Sequence, residues 1–366
     1  MKRYFAPGRI NLIGEHVDYQ GGWVLPAAIS LGITARVQES PNHLFELSSA
    51  SHPEEISFDT HQSFVFNDNH GWLNYPLGVF DFLKQKQFTL KPLRIHFETT
   101  LPQSSGLSSS AAIEVLTMYL LLHESGYRVS MKDISIWCKE VENHFIGVSC
   151  GIMDQFVIAN ASANHALLLN CHSLEAKNIP LSLGNKRIVI LNTGKPRNLI
   201  HSKYNERKTE CDTALQQINQ KKLSKHSFLC QCSDSDWQLL SDETLKKRAR
   251  HVMGENYRVL QAAEQLSLGN ISRFEDLLNE SHRSLRDDYE VSGAELDAIV
   301  QAATSHPACN AARMTGAGFG GCAIALVEED HIDEFCHFVI QKYLLSTGYK
   351  AECYLCHIAD GVKLIG

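Results

Sequence analysis

The sequence predicts a mixed α+β protein in two lobes, and three observations carry that reading. The chain has 366 residues, enough for one large domain or two smaller ones and for a core that needs no disulfides or metals. Short apolar runs of the kind found in buried strands alternate with longer stretches at helical spacing, and the second half is largely helical. Gly and Ser concentrate in three places, residues 8–22, 104–110 and 315–321, which read as loops between the periodic segments. The lobe boundary is expected near Pro180–Lys186, giving an N-terminal domain over 1–185 and a C-terminal domain over 186–366.

In chain order, Phe45 and Leu47, then Ile56 and Phe58, suggest short strands. Ala111–Leu122 reads as a helix that is apolar nearly all round and therefore buried. Serines precede it as N-cap candidates, Glu114 suits its first turn and Gly126 can end it. A second helix is expected from about Lys132 to His144, opened by Ser130-x-x-Asp133, with Ile134, Trp137, Cys138, Val141 and Phe145 on one stripe. Glu142 falls at the edge of that stripe, either as a solvated border residue or as a carboxylate aimed into a cleft. Ile188–Leu191 and Cys322–Val327 read as buried strands. Helices are expected over Asn198–Gln217, Leu245–Leu266, Ile271–Ser281 and Gly293–Ala303, and strand-like pieces over Lys350–Ile358.

Composition excludes several classes. Hydrophobic residues are 44% and charged residues 20%, which argues against a disordered chain. The net charge of −7 is a poor footprint for nucleic-acid binding. No apolar run reaches the ~18 residues of a membrane span, and the N-terminus has no signal-peptide pattern before Arg9. Eleven cysteines, an odd number, are scattered along the chain, which fits reduced thiols in the cytoplasm. A monomer without nucleic-acid or membrane partners is expected.

Four segments carry chemistry. Ser104-Ser105-Gly106-Leu107-Ser108-Ser109-Ser110 opens the buried helix, where backbone N–H groups and the positive dipole end bind phosphate; a flexible turn with a serine cap is the bland alternative. Met314–Gly321 places Gly316, Gly318, Gly320 and Gly321 before an apolar strand, a density that lets backbone approach a ligand. Pro7–Tyr19 gathers Arg9, Asn11, Glu15, His16 and Asp18, suited to a polar ligand or to a loop with internal ion pairs. Gly151-Ile152-Met153-Asp154 sets one carboxylate among apolar neighbours, either a structural Asp or a tuned base. Two further patterns are discounted. Cys353-x-x-Cys356-His357 matches a haem-attachment spacing by chance. Cys230-x-Cys232 with His226 hints at zinc, but no second ligand pair completes it.

Together these segments resemble the GHMP small-molecule kinases, and the galactokinase family within them. GRINLIGEHVDYQGG is similar to that family's sugar signature, SSGLSSSAA to its ATP-binding motif and MTGAGFGG to its third motif. The likeness continues through VENHFIGVSCGIMDQF, HSKYNERKTEC and ESHRSLRDDYEVSGAELD, in the family's order over nearly the whole chain. The resemblance implies a two-lobed GHMP kinase fold of mixed sheets and helices with the active site between the lobes. It implies phosphorylation of a sugar, D-galactose, at the anomeric hydroxyl by ATP with Mg²⁺. ATP would lie on Ser104, Ser105, Gly106, Leu107, Ser108, Ser109 and Ser110, with Trp72 and Tyr75 near the adenine. Ser110 and Glu142 would match the metal positions, Asp154 and Arg9 the catalytic ones, and Glu15, His16, Asp18, Gly151 and Tyr204 those that hold the sugar. Gly316, Gly318 and Gly320 belong to the third motif. Val17 and Gln20 replace the signature's usual Thr and Asn, and Asn310 stands where Gly is usual; none of these removes a chemical group assigned above. The alternatives are a related kinase for N-acetylgalactosamine, a sugar acid or arabinose, and a non-catalytic sensor of galactose and ATP. Sensors of this kind lack a Ser-Ala pair in the second motif; Ser110-Ala111 is intact here.

Overall fold

The computed structural model describes residues 1–102, 105–195 and 203–366 in full, and the backbone of residues 200–202. Among these residues the strands form three sheets. The largest has six strands in the spatial order Lys363–Leu364, Lys2–Asn11, Pro26–Glu39, Leu93–Thr99, Phe45–Ser49 and Ile56–Phe58. Its neighbours are antiparallel except for the parallel pair Phe45–Ser49 and Leu93–Thr99. A four-stranded antiparallel sheet runs Cys309–Thr315, Cys322–Glu328, Lys186–Asn192 and Glu352–Leu355. A small third sheet joins Trp23–Val24, His165–Asn170 and Ala176–Pro180. The predicted mixed α+β class is therefore borne out.

The helix Ser109–Glu124 forms where expected, and Ala111 to Met118 and Leu120 to Leu122 are buried on every side. It packs on the six-stranded sheet and against the helices Asn74–Gln85, Met131–Val141 and Met153–Asn160. Ser130 caps Met131–Val141 by accepting the N–H of Asp133 at 3.1 Å, as the sequence suggests. That helix then widens into a π-helical turn over Glu142–Ile146. Such a turn changes which way its first side chain points, and Glu142 is carried off the apolar stripe into the interior, only 9% exposed. The helices of the second half run Ile200–Lys221, Glu243–Ser267, Ile271–Ser284 and Gly293–Thr304, close to the predicted spans; residues 198–199 lie outside the described residues. Among the described residues no helix is long and apolar enough to cross a membrane.

The first strand was hidden in the sequence by its charges. Lys2–Asn11 holds Lys2, Arg3, Arg9 and Asn11, so no clean alternation marks it. Its register against Pro26–Glu39 shifts between Pro7 and Gly8, and there the loop ahead of the buried helix comes close: Arg9 N–H donates to Leu107 O at 3.1 Å. A Cβ on Gly8 would lie 2.9 Å from Leu107 O and 2.5 Å from Leu101 Cδ2. Gly8→Ala is therefore expected to destabilise the protein by about 1–3 kcal/mol, the scale of overpacking. An unchanged urea denaturation midpoint would show that this loop does not press on the strand.

Candidate active site

The segment from Arg9 to Tyr19 leaves the first sheet and turns back on itself, so that charges far apart in the chain converge. Arg9 forks onto Asp154, at the start of the helix Met153–Asn160: Nε donates to Oδ1 and Nη2 to Oδ2, both at 2.8 Å. Its Nη1 donates to Gly106 O at 2.7 Å. One guanidinium thus aligns the strand, the serine-rich loop and the carboxylate, using the planar fork that Arg alone supplies. Ser108 Oγ also donates to Asp154 Oδ2.

Around this fork lies a cavity of about 160 Å³ lined by Arg9, Glu15, His16, Asp18, Glu142, Gly151, Asp154 and Tyr204. The structure therefore brings together every sugar-contact, catalytic and metal candidate named from the sequence except Ser110, which lies at its edge. Cys150, Gln155 and Ala317 share the lining and were not singled out; the signal available for Gln155 was its place next to Asp154. Gly151 is bare for a steric reason. A Cβ there would fall 1.9 Å from Asp18 Oδ2.

Burial sets the protonation of these groups. Asp18 is pushed up to about 7, first by burial and then by the negative charge of Asp154. Glu142 is pushed up to about 7 for the same two reasons. Glu114, fully buried on the second turn of its helix and with neither carboxyl oxygen hydrogen-bonded among the described residues, is raised well above the carboxylate range by burial and by Glu142. Gln155 Nε2 donates to Glu142 Oε2 while its Oε1 has no donor.

His16 is held in the left-handed region at φ 63°. Burial, then the neighbouring His251, lowers its pKa to about 3, so the ring is neutral. Its Nε2 faces Ala317 O at 3.2 Å and must be the donor, which leaves Nδ1 to accept from Tyr19 OH at 3.0 Å. Tyr204 packs against both rings, at 5.6 Å from His16 and 5.1 Å from Tyr19.

Glu15 lines the cavity, but its oxygens are engaged by the protein itself. Asn11 Nδ2 donates to Oε2 and Gly316 N–H to Oε1, each at 2.7 Å, and Arg313 Nη2 lies 3.5 Å away. The third glycine motif is likewise occupied with the protein's own backbone. Gly318 has φ +80° and a Cβ on it would lie 2.3 Å from Val291 O, while one on Gly316 would lie 3.2 Å from Gly106 O. Gly320 sits at φ +117° near Lys195.

A second cavity, of about 330 Å³, opens on the other side of the serine loop. Trp72, Tyr75 and Phe97 wall it, with Ser109, Ser110 and Ile113 from the start of the buried helix. Trp72 Nε1 is buried without a partner among the described residues. Among the described residues no side chain caps this helix, since Ser108 is itself left-handed at φ 63° and its hydroxyl goes to Asp154; uncapped N–H groups of a first turn are the kind that bind phosphate. Ser105 and Leu107 are buried in the loop, and Ser104 lies outside the described residues. The two cavities meet where Ser110 Oγ donates to Glu142 Oε1 at 3.3 Å.

A small polar cavity, joined to a larger aromatic one across an uncapped helix terminus, is the architecture of a kinase for a small molecule. Residues 74–161 match the family described as GHMP kinases N terminal domain and residues 260–344 that described as GHMP kinases C terminal. A mevalonate kinase structure at 19% identity shares the fold, with a TM-score of 0.70 over 98% of this chain and all of its own. The chain belongs to the GHMP kinases.

Within them, residues 2–39 match the galactokinase galactose-binding signature. The galactokinase of Clostridium tetani is 42% identical over 99% of this chain and 93% of its own, and that of Enterococcus faecalis 42% over 98% and 94%. The crystal structure of Lactococcus lactis galactokinase complexed with galactose superposes with a TM-score of 0.93 at 39% identity, covering all of this chain and 95% of its own. The chain is a member of the galactokinase family.

The raised Asp18 has a consequence for stability. An unfolded Asp ionises near ~3.9, the folded one at about 7. Its contribution is thus intact below about pH 4 and is lost as the pH rises through about 7, because the unfolded state gives up its proton first. Asp18→Asn, which cannot ionise, should gain on the wild type across that window in the ligand-free protein, by ~1 kcal/mol or more at the upper end. Chemical denaturation of both proteins at the two ends of the window measures it, and a difference that does not change with pH would mean that Asp18 is solvated.

Proposed function

We propose that this chain transfers the γ-phosphoryl group of ATP to the anomeric hydroxyl of D-galactose, giving ADP and α-D-galactose 1-phosphate. The observation that carries the reading is the meeting of the two cavities at Ser110 and Glu142, with the Arg9–Asp154 fork on the sugar side. The same reading divides the chain into lobes at 185/186, where the strand Lys186–Asn192 begins, and takes the protein as a cytoplasmic monomer, in keeping with eleven free cysteines.

Galactose would occupy the smaller cavity, its hydroxyls facing Asp18, His16, Glu15, the backbone at Gly151 and Tyr204. ATP would lie with its adenine between Trp72 and Tyr75 and its phosphates over residues 105–110. Asp154 Oδ2 already accepts from both Arg9 and Ser108, whereas among the described residues Oδ1 accepts only from Arg9. A carboxylate oxygen has two acceptor sites, so Oδ1 is the atom left to receive the sugar hydroxyl and, as the oxygen bonds to phosphorus, its proton. Arg9 keeps that carboxylate oriented, and its positive charge offsets the negative charge that develops on the transferring phosphoryl group. Little covalent chemistry is asked of the protein; alignment and charge stabilisation suffice for phosphoryl transfer.

Ser110 and Glu142 present hard oxygen donors 3.3 Å apart beside the phosphate loop, which fits Mg²⁺. When bound there, the ion neutralises phosphate charge. Glu142, raised to about 7 without a counter-charge, is the carboxyl such a cation would hold ionised.

The direct test is ADP release from Mg-ATP with a panel of monosaccharides. Galactose should be turned over, and galactose binding without ADP release would make the protein a sensor instead. Glucose differs in the direction of the C4 hydroxyl, which would leave buried polar groups of the cavity unpaired. Its kcat/KM should be lower by at least ~10²-fold, and equal turnover of the two sugars would remove the proposed specificity. Asp154→Asn should keep the fold and much of the sugar binding while losing at least ~10²-fold in kcat. A change of less than a few-fold, in a variant that unfolds like the wild type, would make Asp154 structural.

A further inference from the structure

The zinc-like pattern near residue 230 is incomplete in the sequence because its third donor lies beyond the cysteines. The structure supplies it. One ring nitrogen of His226, Cys232 Sγ and a carboxylate oxygen of Asp236 all lie within 4.8 Å of one another. Cys230, the nearer sequence neighbour, is turned elsewhere: its Sγ would lie 2.6 Å from a Cβ on Gly22. None of the three donors lines the reaction cleft.

We propose that His226, Cys232 and Asp236 form a binding site for a thiophilic divalent cation of the zinc type. The donor set is the first argument. Imidazole nitrogen, thiolate and carboxylate together select Zn²⁺ and disfavour Mg²⁺, which takes oxygen donors only. Three protein ligands leave a fourth, tetrahedral position to water.

The second argument is that the donors are already positioned. Asn219 clamps the backbone of His226 from both sides, accepting its N–H at 2.9 Å and donating to its carbonyl at 2.8 Å. The ring itself makes no hydrogen bond to a described residue, so it is free to turn onto a cation. Cys232 is 9% exposed and Asp236 6%. Lys222 Nζ at 2.6 Å and the Ser233 N–H at 2.9 Å donate to Asp236 Oδ2, and the Ser233 side chain also reaches the carboxylate. Oδ1 is the oxygen that a cation would take, with Oδ2 held from behind, the usual arrangement of a ligating carboxylate. Lys222 is also a cation, so it weakens the site while it orients it. Bond lengths of about 2.0–2.3 Å require the donors to draw somewhat closer than they stand, a movement the unrestrained imidazole can make. On binding, Cys232 releases its thiol proton to solvent and ligates as thiolate.

Occupancy would tie the loop to itself and to the end of the helix Ile200–Lys221, through Lys222 and Asn219. The same loop presses Phe228 and Cys230 on the Gly21-Gly22 turn, directly after Asp18. The cation would therefore act as a staple behind the sugar-binding segment, raising stability by binding the native state.

The test uses the full-length chain, stripped with a chelator and titrated with Zn²⁺ by calorimetry and with Co²⁺ by absorbance. One equivalent should bind, and cobalt should show the thiolate-to-metal charge-transfer band and the visible bands of a tetrahedral site. Cys232→Ser should abolish the charge-transfer band, and His226→Gln and Asp236→Asn should each weaken zinc by at least ~10-fold. Zinc should raise the melting temperature of the wild type and not of Cys232→Ser. ADP release with Mg-ATP and galactose, measured without zinc, should be the same in Cys232→Ser and His226→Gln as in the wild type, which shows that the variants are folded. A charge-transfer band that survives Cys232→Ser, zinc affinity untouched by His226→Gln, or no binding to the wild type would each overturn the proposal.

Discussion

The buried pair of Glu15 and Arg313 is the constraint on which the cleft depends. Arg313 is wholly buried, and its Nη1 donates to Asn11 O at 2.9 Å and Leu12 O at 2.7 Å while Nη2 faces Glu15. Two residues on, Thr315 Oγ1 accepts the N–H of Asn11 at 3.0 Å and donates to its carbonyl at 3.1 Å. Glu255 adds a second tie, accepting the N–H of Gly14 at 2.9 Å. Asn11, Leu12, Gly14 and Glu15 in the middle of the first segment are thus fixed by residues some three hundred or two hundred and forty positions away. A buried ion pair adds little net stability over an apolar pair of the same shape, but losing one partner strands a charge at a cost of about 3–5 kcal/mol. What such a pair secures is geometry. Here it sets where Arg9, His16 and Asp18 stand relative to the glycine loop at 316–321.

With that geometry fixed, the ligand-free cleft carries unfavourable electrostatics. Glu142, Asp18 and Asp154 line one small cavity, and the guanidinium of Arg9 is committed to Asp154. Asp18 and Glu142 respond by holding protons to about pH 7. This is the pattern expected where a site is shaped for a ligand at the expense of the empty protein. Hydroxyl donors facing Asp18, and a cation facing Glu142, would supply what the protein withholds. His16 is the counterpart among the bases. Its neutral ring is locked as a donor to Ala317 and an acceptor from Tyr19, with Tyr19 in turn 2.7 Å from Tyr289, so it contributes shape and hydrogen bonding rather than charge.

Much of this was legible in the sequence, for identifiable reasons. Helices with long, regular apolar spacing, such as Glu243–Ser267 and Ile271–Ser284, were found nearly to their ends. Arg9, Glu15, His16 and Asp18 sit in a segment dense in charge and glycine, whereas the place of Tyr204 in the cavity, and the roles of Gly151 and Glu142, were implied only by the family resemblance. What could not be read were features that rest on long-range pairing. The strand Lys2–Asn11 is paired on both edges yet carries charges that mask its periodicity. Arg313 stands before the third glycine motif with nothing local to mark it as the partner of Glu15. Glu114 suits a first turn by helix-dipole rules, but the helix begins at Ser109, and the side chain is instead a buried acid. Glu142 was placed by ideal helical spacing, which the π-helical turn at Glu142–Ile146 breaks.

Ser108 shows how local preference yields to function at one residue. A serine before a helix normally accepts an N–H of the first turn, a contact worth about 1 kcal/mol. Ser108 forgoes it, and its backbone adopts the left-handed conformation that a non-glycine residue rarely takes. The same departure has two effects. It leaves the first turn, beside the aromatic cavity, without a cap from Ser108, and it aims the hydroxyl at Asp154 on the side of the polar one. A capped helix would have been more stable and would have offered phosphate fewer donors. Arg9 holds the strained loop in place through Gly106 O and simultaneously holds the carboxylate that Ser108 touches. The strain at the helix start and the orientation of Asp154 are therefore one feature, so a change that relaxed the loop would also turn the carboxylate.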